Sequence, residues 1–217
     1  MNITKKIYLT LIILILLASA SMFFLSKQQP SVEVVNPPTT TPTTKNFTEH
    51  NGAFSFDYNP LFTVTPGNDL PSNDWKFNLD FSQKGTLFAT VLTPRDYMPK
   101  TNFSEAKLTI GKSSEATAIK SCLAENEATV GKPEATKVSG YPVMKFMLND
   151  AAAGNYYDTT SYRGIIGGDC YAIEYTIHST NIGNYSPDQG IKEFDKTKIV
   201  NELESIVKSL RLIVASN

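Results

Sequence analysis

Two cysteines, Cys122 and Cys170, and two histidines, His50 and His178, are all that this chain of 217 residues offers for thiol, imidazole or soft-metal chemistry. An even cysteine count in an exported domain reads as a disulfide. Closing the loop from Cys122 to Cys170 would stabilise the fold by about 4 kcal/mol in the chain-entropy account. The other arrangement is a pair of buried reduced thiols. A reactive thiolate needs an electropositive setting, and the sequence around these cysteines shows none. His50 stands where a tether meets the domain, so histidine-based catalysis would rest on His178. Glu174 and His178 share a direction along one strand but lie four residues apart, roughly 13 Å, too far to hold one metal unaided. Gly-x-Ser-x-Gly, His-Glu-x-x-His, Cys-x-x-Cys and P-loop patterns are missing, so no cofactor is implied.

Oxygen chemistry is left. Asp158, Asp169 and Glu174 are candidate carboxylates for a hydrolase, which needs two such groups facing one cleft about 5 to 9.5 Å apart. Asn68, Asp69, Asn73 and Asp74 crowd one loop and offer oxygens to Ca²⁺ without EF-hand spacing. The stretch from Ser179 to Phe194 joins two elements through about sixteen residues, a length that points to function or disorder. Its Asn181, Asn184, Tyr185 and Asp188 suit adaptable surface recognition and form the candidate binding loop. The competing arrangement has Ile182 and Tyr185 pinning this loop over the sheet edge.

The elements that position these residues are mostly short strands. Ala53 to Tyr58 alternates and stops at Asn59-Pro60. Trp75 to Ser82 places Trp75, Phe77, Leu79 and Phe81 on one face and turns at Lys84-Gly85 into Thr86 to Thr93, predicting an aromatic hairpin. Ala106 to Ile110, Tyr141 to Leu148, Thr159 to Ile166 and Cys170 to His178 complete the strands. Gly167-Gly168 suits a primed two-residue turn, so paired residue numbers sum to 335: Cys170 opposes Ile165, Ala172 opposes Arg163, and Glu174 opposes Ser161. Arg163 and Glu174 then form a diagonal surface ion pair. Ser114 to Leu123 predicts a short helix capped by Ser114. Asp195 opens the final one, with Ile199, Leu203, Ile206, Val207 and Leu210 on one stripe. The expected fold class is therefore α+β, an antiparallel sheet of about six to seven strands flanked by helices.

Phe54-Ser-Phe-Asp-Tyr-Asn-Pro60, the aromatic strand after it and the closing helix through Ile206-Val-Lys-Ser-Leu210 resemble the PsbP-type fold. Thr101 to Ile110 and Cys170 to Phe194 resemble uncharacterised membrane-anchored exported bacterial proteins. That resemblance implies compartment and fold and brings no activity or site residues.

Compartment follows from the N-terminus. Lys5 and Lys6 precede an uncharged run from Ile7 to Leu25, roughly 28 Å as a helix and close to a bilayer's hydrocarbon thickness. Lysine asymmetry puts the N-terminus in the cytoplasm and the domain outside. The reading is a signal anchor over residues 1–26, with cleavage after Ala18-Ser19-Ala20 as the alternative. Residues 27–50 form a Pro/Thr-rich linker of extended geometry. Residues 51–217 form the extracytoplasmic domain. Apolar residues at 41% supply a core, and 20 basic against 21 acidic residues leave no basic face for nucleic acid. The partners implied are the lipid bilayer, through the N-terminal helix, and a protein or envelope ligand. The expected function is a non-enzymatic accessory or binding module, with a carboxylate enzyme of the cell envelope as the alternative.

Overall fold

The computed structural model describes residues 44–50, 52–68, 70–77 and 83–213, all in a unit that begins at Pro42. Among the described residues eleven strands run as β1 (Lys45–Thr48), β2 (Phe54–Tyr58), β3 (Thr63–Pro66), β4 (Pro71–Ser72), β5 (Gly85–Thr93), β6 (Phe103–Ser113), β7 (Glu134–Val138), β8 (Tyr141–Ala152), β9 (Asn155–Ile166), β10 (Asp169–Thr180) and β11 (Arg211–Leu212). Two α-helices join them, α1 (Ala116–Lys120) and α2 (Lys196–Ser209). An eight-stranded antiparallel sheet takes the order β3-β5-β6-β10-β9-β8-β7, with β4 beside β5, and a three-stranded sheet takes the order β1-β2-β11.

The helix-flanked α+β architecture expected from the sequence, PsbP-like with six to seven strands, is not the one that forms. Strand dominates, and α2 is the one helix of more than five residues among those described. The segment read as a ten-residue helix over Ser114 to Leu123 yields five helical residues, capped by Glu115 in place of Ser114 and without a side-chain cap bond. A helix that short gains little from its own hydrogen bonds, and Cys122 just beyond it is held to the sheet. Trp75 to Phe77 is not strand either, and the rest of the expected aromatic strand, 78–82, lies outside the described residues. Among the described residues no helix is long and apolar enough to cross a membrane; the expected transmembrane segment Ile7 to Leu25 lies outside them. β1 falls inside the stretch read as linker and pairs with β2 from Lys45 opposite Tyr58 to Thr48 opposite Ser55.

Strand alternation fixes two unlike faces on the central strand β10. Tyr171, Ile173, Tyr175 and Ile177 point into the main core with Leu108, Ile110, Phe54, Phe56 and the α2 stripe Ile199, Leu203, Ile206 and Val207, all buried. Asp195 caps α2 by accepting the Lys198 N–H at 3.0 Å. The other face carries Cys170, Ala172, Glu174, Thr176 and His178.

Glu204 locks α2 to the core face. Its Oε1 accepts hydrogen bonds from the Tyr162 hydroxyl at 2.6 Å, the Tyr175 hydroxyl at 2.7 Å and Lys145 Nζ at 3.1 Å. Burial pushes this carboxyl upward, but the three donors outweigh it and hold its pKa below the ordinary value. A depressed carboxylate contributes stability above its unfolded pKa and loses it as pH falls through the folded value. Glu204→Gln is therefore expected to cost about 1–2 kcal/mol at pH 7, allowing for screening at a half-buried site, and much less near pH 3. Urea midpoints of both proteins at the two pH values test this; an equal difference at both would show that the charge is not what holds the helix.

Candidate functional site

A cleft opens on the core face where the two sheets meet. Phe88 enters it because β5 carries a bulge: Leu87 pairs with Gly111 and Ala89 with Ile110, leaving Phe88 as the extra residue and redirecting its ring. The bulge is gripped by Gly67, whose N–H donates to the Phe88 carbonyl at 2.7 Å. A Cβ on Gly67 would lie 1.6 Å from the Leu87 carbonyl oxygen, so the approach requires glycine. Phe88 then stands between Phe54, 5.6 Å away between ring centres, and Tyr171 at 6.4 Å. The cleft they wall measures about 330 Å³ and is completed by Ile166, Leu212 and the Lys112–Asp169 pair.

That pair is fixed by the register. Lys112 on β6 opposes Tyr171 on β10, and Asp169 begins β10 beyond the Gly167-Gly168 turn. Lys112 Nζ meets Asp169 Oδ2 at 2.7 Å and lies 5.8 Å from the Tyr171 ring centre. The hydrogen bond that Lys112 donates to Asp169 raises the Lys112 pKa against the pull of burial. Burial works to raise Asp169, but the bonds from Lys112 and Ser114 prevail and lower it. Burial lifts the Tyr171 hydroxyl. Both charges therefore persist across neutral pH beside three aromatic rings, an arrangement that suits a small molecule with a flat apolar body and a polar end.

The opposite face holds the disulfide and a buried charge cluster. Cys122 and Cys170 are bridged with Cα atoms 5.7 Å apart, as the sequence leads one to expect. Trp75 packs with them in a small core that includes Ala118 and Ala172. It occupies a slot over Gly85 and Gly111, where an added Cβ would come within 2.5 Å and 2.8 Å of Trp75 side-chain atoms, and its indole N–H donates to the Gln83 carbonyl at 3.0 Å. Arg163 and Glu174, expected as a surface pair, are instead 2% and 3% exposed. The hairpin register places them as anticipated; the segment through Trp75 and Phe77 covers them, and the Phe77 N–H donates to Glu174 Oε2.

The remaining sequence candidates are dispersed. Asp158 pairs with Lys196, Asp169 with Lys112 and Glu174 with Arg163. His178 stacks on Tyr157 at 4.5 Å and meets Asn155 Oδ1 through Nε2 at 2.9 Å; His50 is exposed beyond β1. Asn68 Oδ1 accepts the Leu70 N–H, Ser72 Oγ accepts the Asp74 N–H, and Asp69 lies outside the described residues. Among the described residues no three His, Cys, Asp or Glu side chains group as metal ligands.

The loop after β10 is tied down. Asn102 is buried and holds both ends, donating to the Thr180 carbonyl at 2.7 Å and accepting the Phe194 N–H at 2.9 Å. Asn181 accepts the Gly183 N–H and donates to the Tyr156 hydroxyl. Asn184 reaches the Gly154 carbonyl at 3.4 Å, and the Tyr185 hydroxyl meets Thr180 Oγ1 at 2.7 Å. Asp188 is exposed, its pKa lowered by the Ser186 hydroxyl. Tyr185→Phe is expected to cost about 1 kcal/mol, while Asp188→Ala leaves the melting temperature in place. Thermal unfolding of the two variants decides it, and an unshifted Tyr185→Phe would mean that the hydroxyl does not pin the loop.

Lys112, Tyr171 and Phe88 escape sequence reasoning, and Trp75 and Ser161 are expected on strands without the partners they have here. Lys112 and Tyr171 become partners only through the nonconsecutive β6–β10 pairing, and a bulge has no signature in hydrophobic alternation. The pairing of small Gly85 and Gly111 with the single tryptophan was the one available signal.

No protein-family profile matches the chain, and no curated protein matches it. Among solved structures, a protein from Bacteroides thetaiotaomicron is similar over 80% of this chain and 50% of its own, with 14% identity and a TM-score of 0.38. The chain thus spans half the length of that structure, and a likeness so distant carries no argument.

Proposed function

We propose that this chain is a membrane-anchored extracytoplasmic binding module, non-enzymatic, which takes a small amphipathic ligand in the cleft walled by Phe54, Phe88 and Tyr171. The observation that carries the reading is a cleft of about 330 Å³ with aromatic walls and a fixed Lys112–Asp169 pair, within the size range of small-ligand sites. The Cys122–Cys170 bridge supports an oxidising compartment, and the lysines before Ile7 to Leu25 support the anchor and its orientation. The carboxylate-enzyme alternative loses ground because Asp158, Asp169 and Glu174 are each paired with a different cation, whereas acid–base catalysis needs two carboxyls whose pKa values are driven apart in one cleft.

Two experiments test this. Protease added to intact spheroplasts is expected to remove the domain, and full protection would overturn the orientation. Saturation-transfer NMR on the whole chain in nanodiscs, with benzoate and benzylamine as probes, is expected to give ring signals that Phe88→Ala abolishes and Tyr185→Phe preserves. Signals unchanged by Phe88→Ala would remove the cleft as the site.

A further inference from the structure

The charge pair in the wall of the Phe88–Tyr171 cleft narrows the class of ligand, an inference that rests on the reading of that cleft as a binding site. Lys112 and Asp169 both line the cleft, and their side chains are 32% and 22% exposed, so a molecule in the cleft reaches both. Lys112 Nζ donates to Asp169 Oδ2 at 2.7 Å and makes a second hydrogen bond with Tyr171. An ammonium has three N–H groups, so one is left over. Asp169 accepts from Lys112 and Ser114, and a carboxylate has room for about four such bonds. A free donor and a free acceptor of opposite charge therefore stand side by side. The apolar walls are open as well: Ile213 lines the cleft and is 71% exposed, and Phe88 is half-buried.

A singly charged ligand gains little at such a pair. A carboxylate drawn to Lys112 stands beside the Asp169 carboxylate, and an ammonium drawn to Asp169 stands beside Lys112. Coulomb energy falls only as the inverse of distance, so at these separations the repulsion offsets most of the attraction. The desolvation of that single charge is then left uncompensated. A head group with an anion and a cation on one carbon escapes the conflict. Its carboxylate accepts from Lys112 while its ammonium donates to Asp169, and both bonds are charge-assisted. An aromatic side chain on the same carbon meets the open ring surface of Phe88, in the stacked or tilted contact that aromatic pairs favour. We propose that the cleft selects a free aromatic α-amino acid, or a zwitterion of the same shape, over singly charged aromatic ligands.

Saturation-transfer NMR on the whole chain in nanodiscs at neutral pH gives half-saturating concentrations for phenylalanine, 3-phenylpropionate, 2-phenylethylamine and 3-phenylpropanamide. These probes share one ring and differ in the head group, and signal that survives Phe88→Ala is subtracted as non-specific. Phenylalanine is expected to half-saturate at a concentration at least tenfold below each of the others, or about 1.4 kcal/mol. Asp169→Asn is expected to reverse the order of phenylalanine and 3-phenylpropionate, because Lys112 then faces no anion. A damaged fold would weaken both probes and gives no such reversal. The parent's own ranking decides the matter whether or not the variant folds. If the four probes bind equally and Phe88→Ala abolishes them all, the cleft stands as a binding site and the preference for a zwitterion is overturned. An amide that binds as tightly as phenylalanine overturns it too. If no probe gives a signal that depends on Phe88, the cleft is not a site for such ligands and both readings fall together.

Discussion

Glu174→Gln is expected to cost about 3–5 kcal/mol, the range for removing one partner of a buried ion pair, out of the 5–15 kcal/mol that holds a domain of this size. The amide keeps the shape, but of the Phe77 N–H and the Ser161 hydroxyl, which now meet the two different carboxylate oxygens, its single acceptor oxygen can meet only one. It also loses the charge opposite Arg163, which is 2% exposed with Nη2 already lacking an acceptor. Burial holds the Arg163 pKa down and Glu174 is what raises it again. The same carboxylate opposes the burial and Arg163 repulsion that bring the Lys76 pKa to about 8. Removing it leaves Arg163 and Lys76 without the carboxylate that opposes their burial. Glu105→Gln is the control, since Glu105 is exposed on the same sheet face, opposite His178. Urea midpoints of the parent and both variants are the measurement. A Glu174→Gln cost under 1 kcal/mol, equal to that of Glu105→Gln, would mean that water reaches the Arg163–Glu174 pair.

The position of this pair was legible in the sequence, but its burial was not. Gly167-Gly168 sets a two-residue turn, and the rule that paired numbers sum to 335 places Glu174 opposite Ser161 and Arg163 opposite Ala172, as observed. Both glycines have positive φ, 60° and 90°, which is what a primed turn demands. Local chemistry of that kind can be read directly. Cover is a different matter, because it comes from residues distant in sequence: Trp75 lies 97 residues before Ala172, yet the two share a small core. Strand lengths failed for a related reason. β8 and β9 run on to Ala152 and Asn155 through Asn149, Asp150 and two alanines, where hydrophobic alternation fades and the tight Ala153-Gly154 turn carries the pairing instead, with φ of 49° and 77°. The closing helix was legible in full, because a capping aspartate and a five-residue apolar stripe are both local signals. The candidate cleft was not, since it needs the bulge at Phe88 and the β6–β10 pairing at once.

Cys122→Ala combined with Cys170→Ala is expected to cost about 4 kcal/mol, the chain-entropy value for a closed loop of this length, with a separation of 48 residues between the two sulfurs' positions. The loop contains β7, β8 and β9, so opening it frees three strands in the unfolded chain. The folded state is affected as well. Cys122 follows α1, and Cys170 sits on β10, so the bridge is what fastens the α1 segment to the sheet beside Trp75. Both cysteines are fully buried, so a reductant reaches them only when this corner opens, and reduction of the folded protein should be slow without denaturant. Once the bridge is gone, Trp75 keeps its glycine slot, the Gln83 carbonyl and the two alanines of its core but loses the sulfurs beside it, and its emission should move to longer wavelength. Alanine is the better substitution, because a serine hydroxyl at either site would be a buried donor in an apolar cluster. Three measurements bear on the result: alkylation with and without reduction, the urea midpoint, and Trp75 emission. Two thiols that alkylate without reduction would refute the bridge. A normal bridge whose removal leaves the midpoint in place would show that the unfolded chain gains no freedom from opening that loop. A fallen midpoint with unmoved emission would assign the whole effect to the unfolded state and show that the slot over Gly85 and Gly111 and the Gln83 carbonyl hold Trp75 without the bridge.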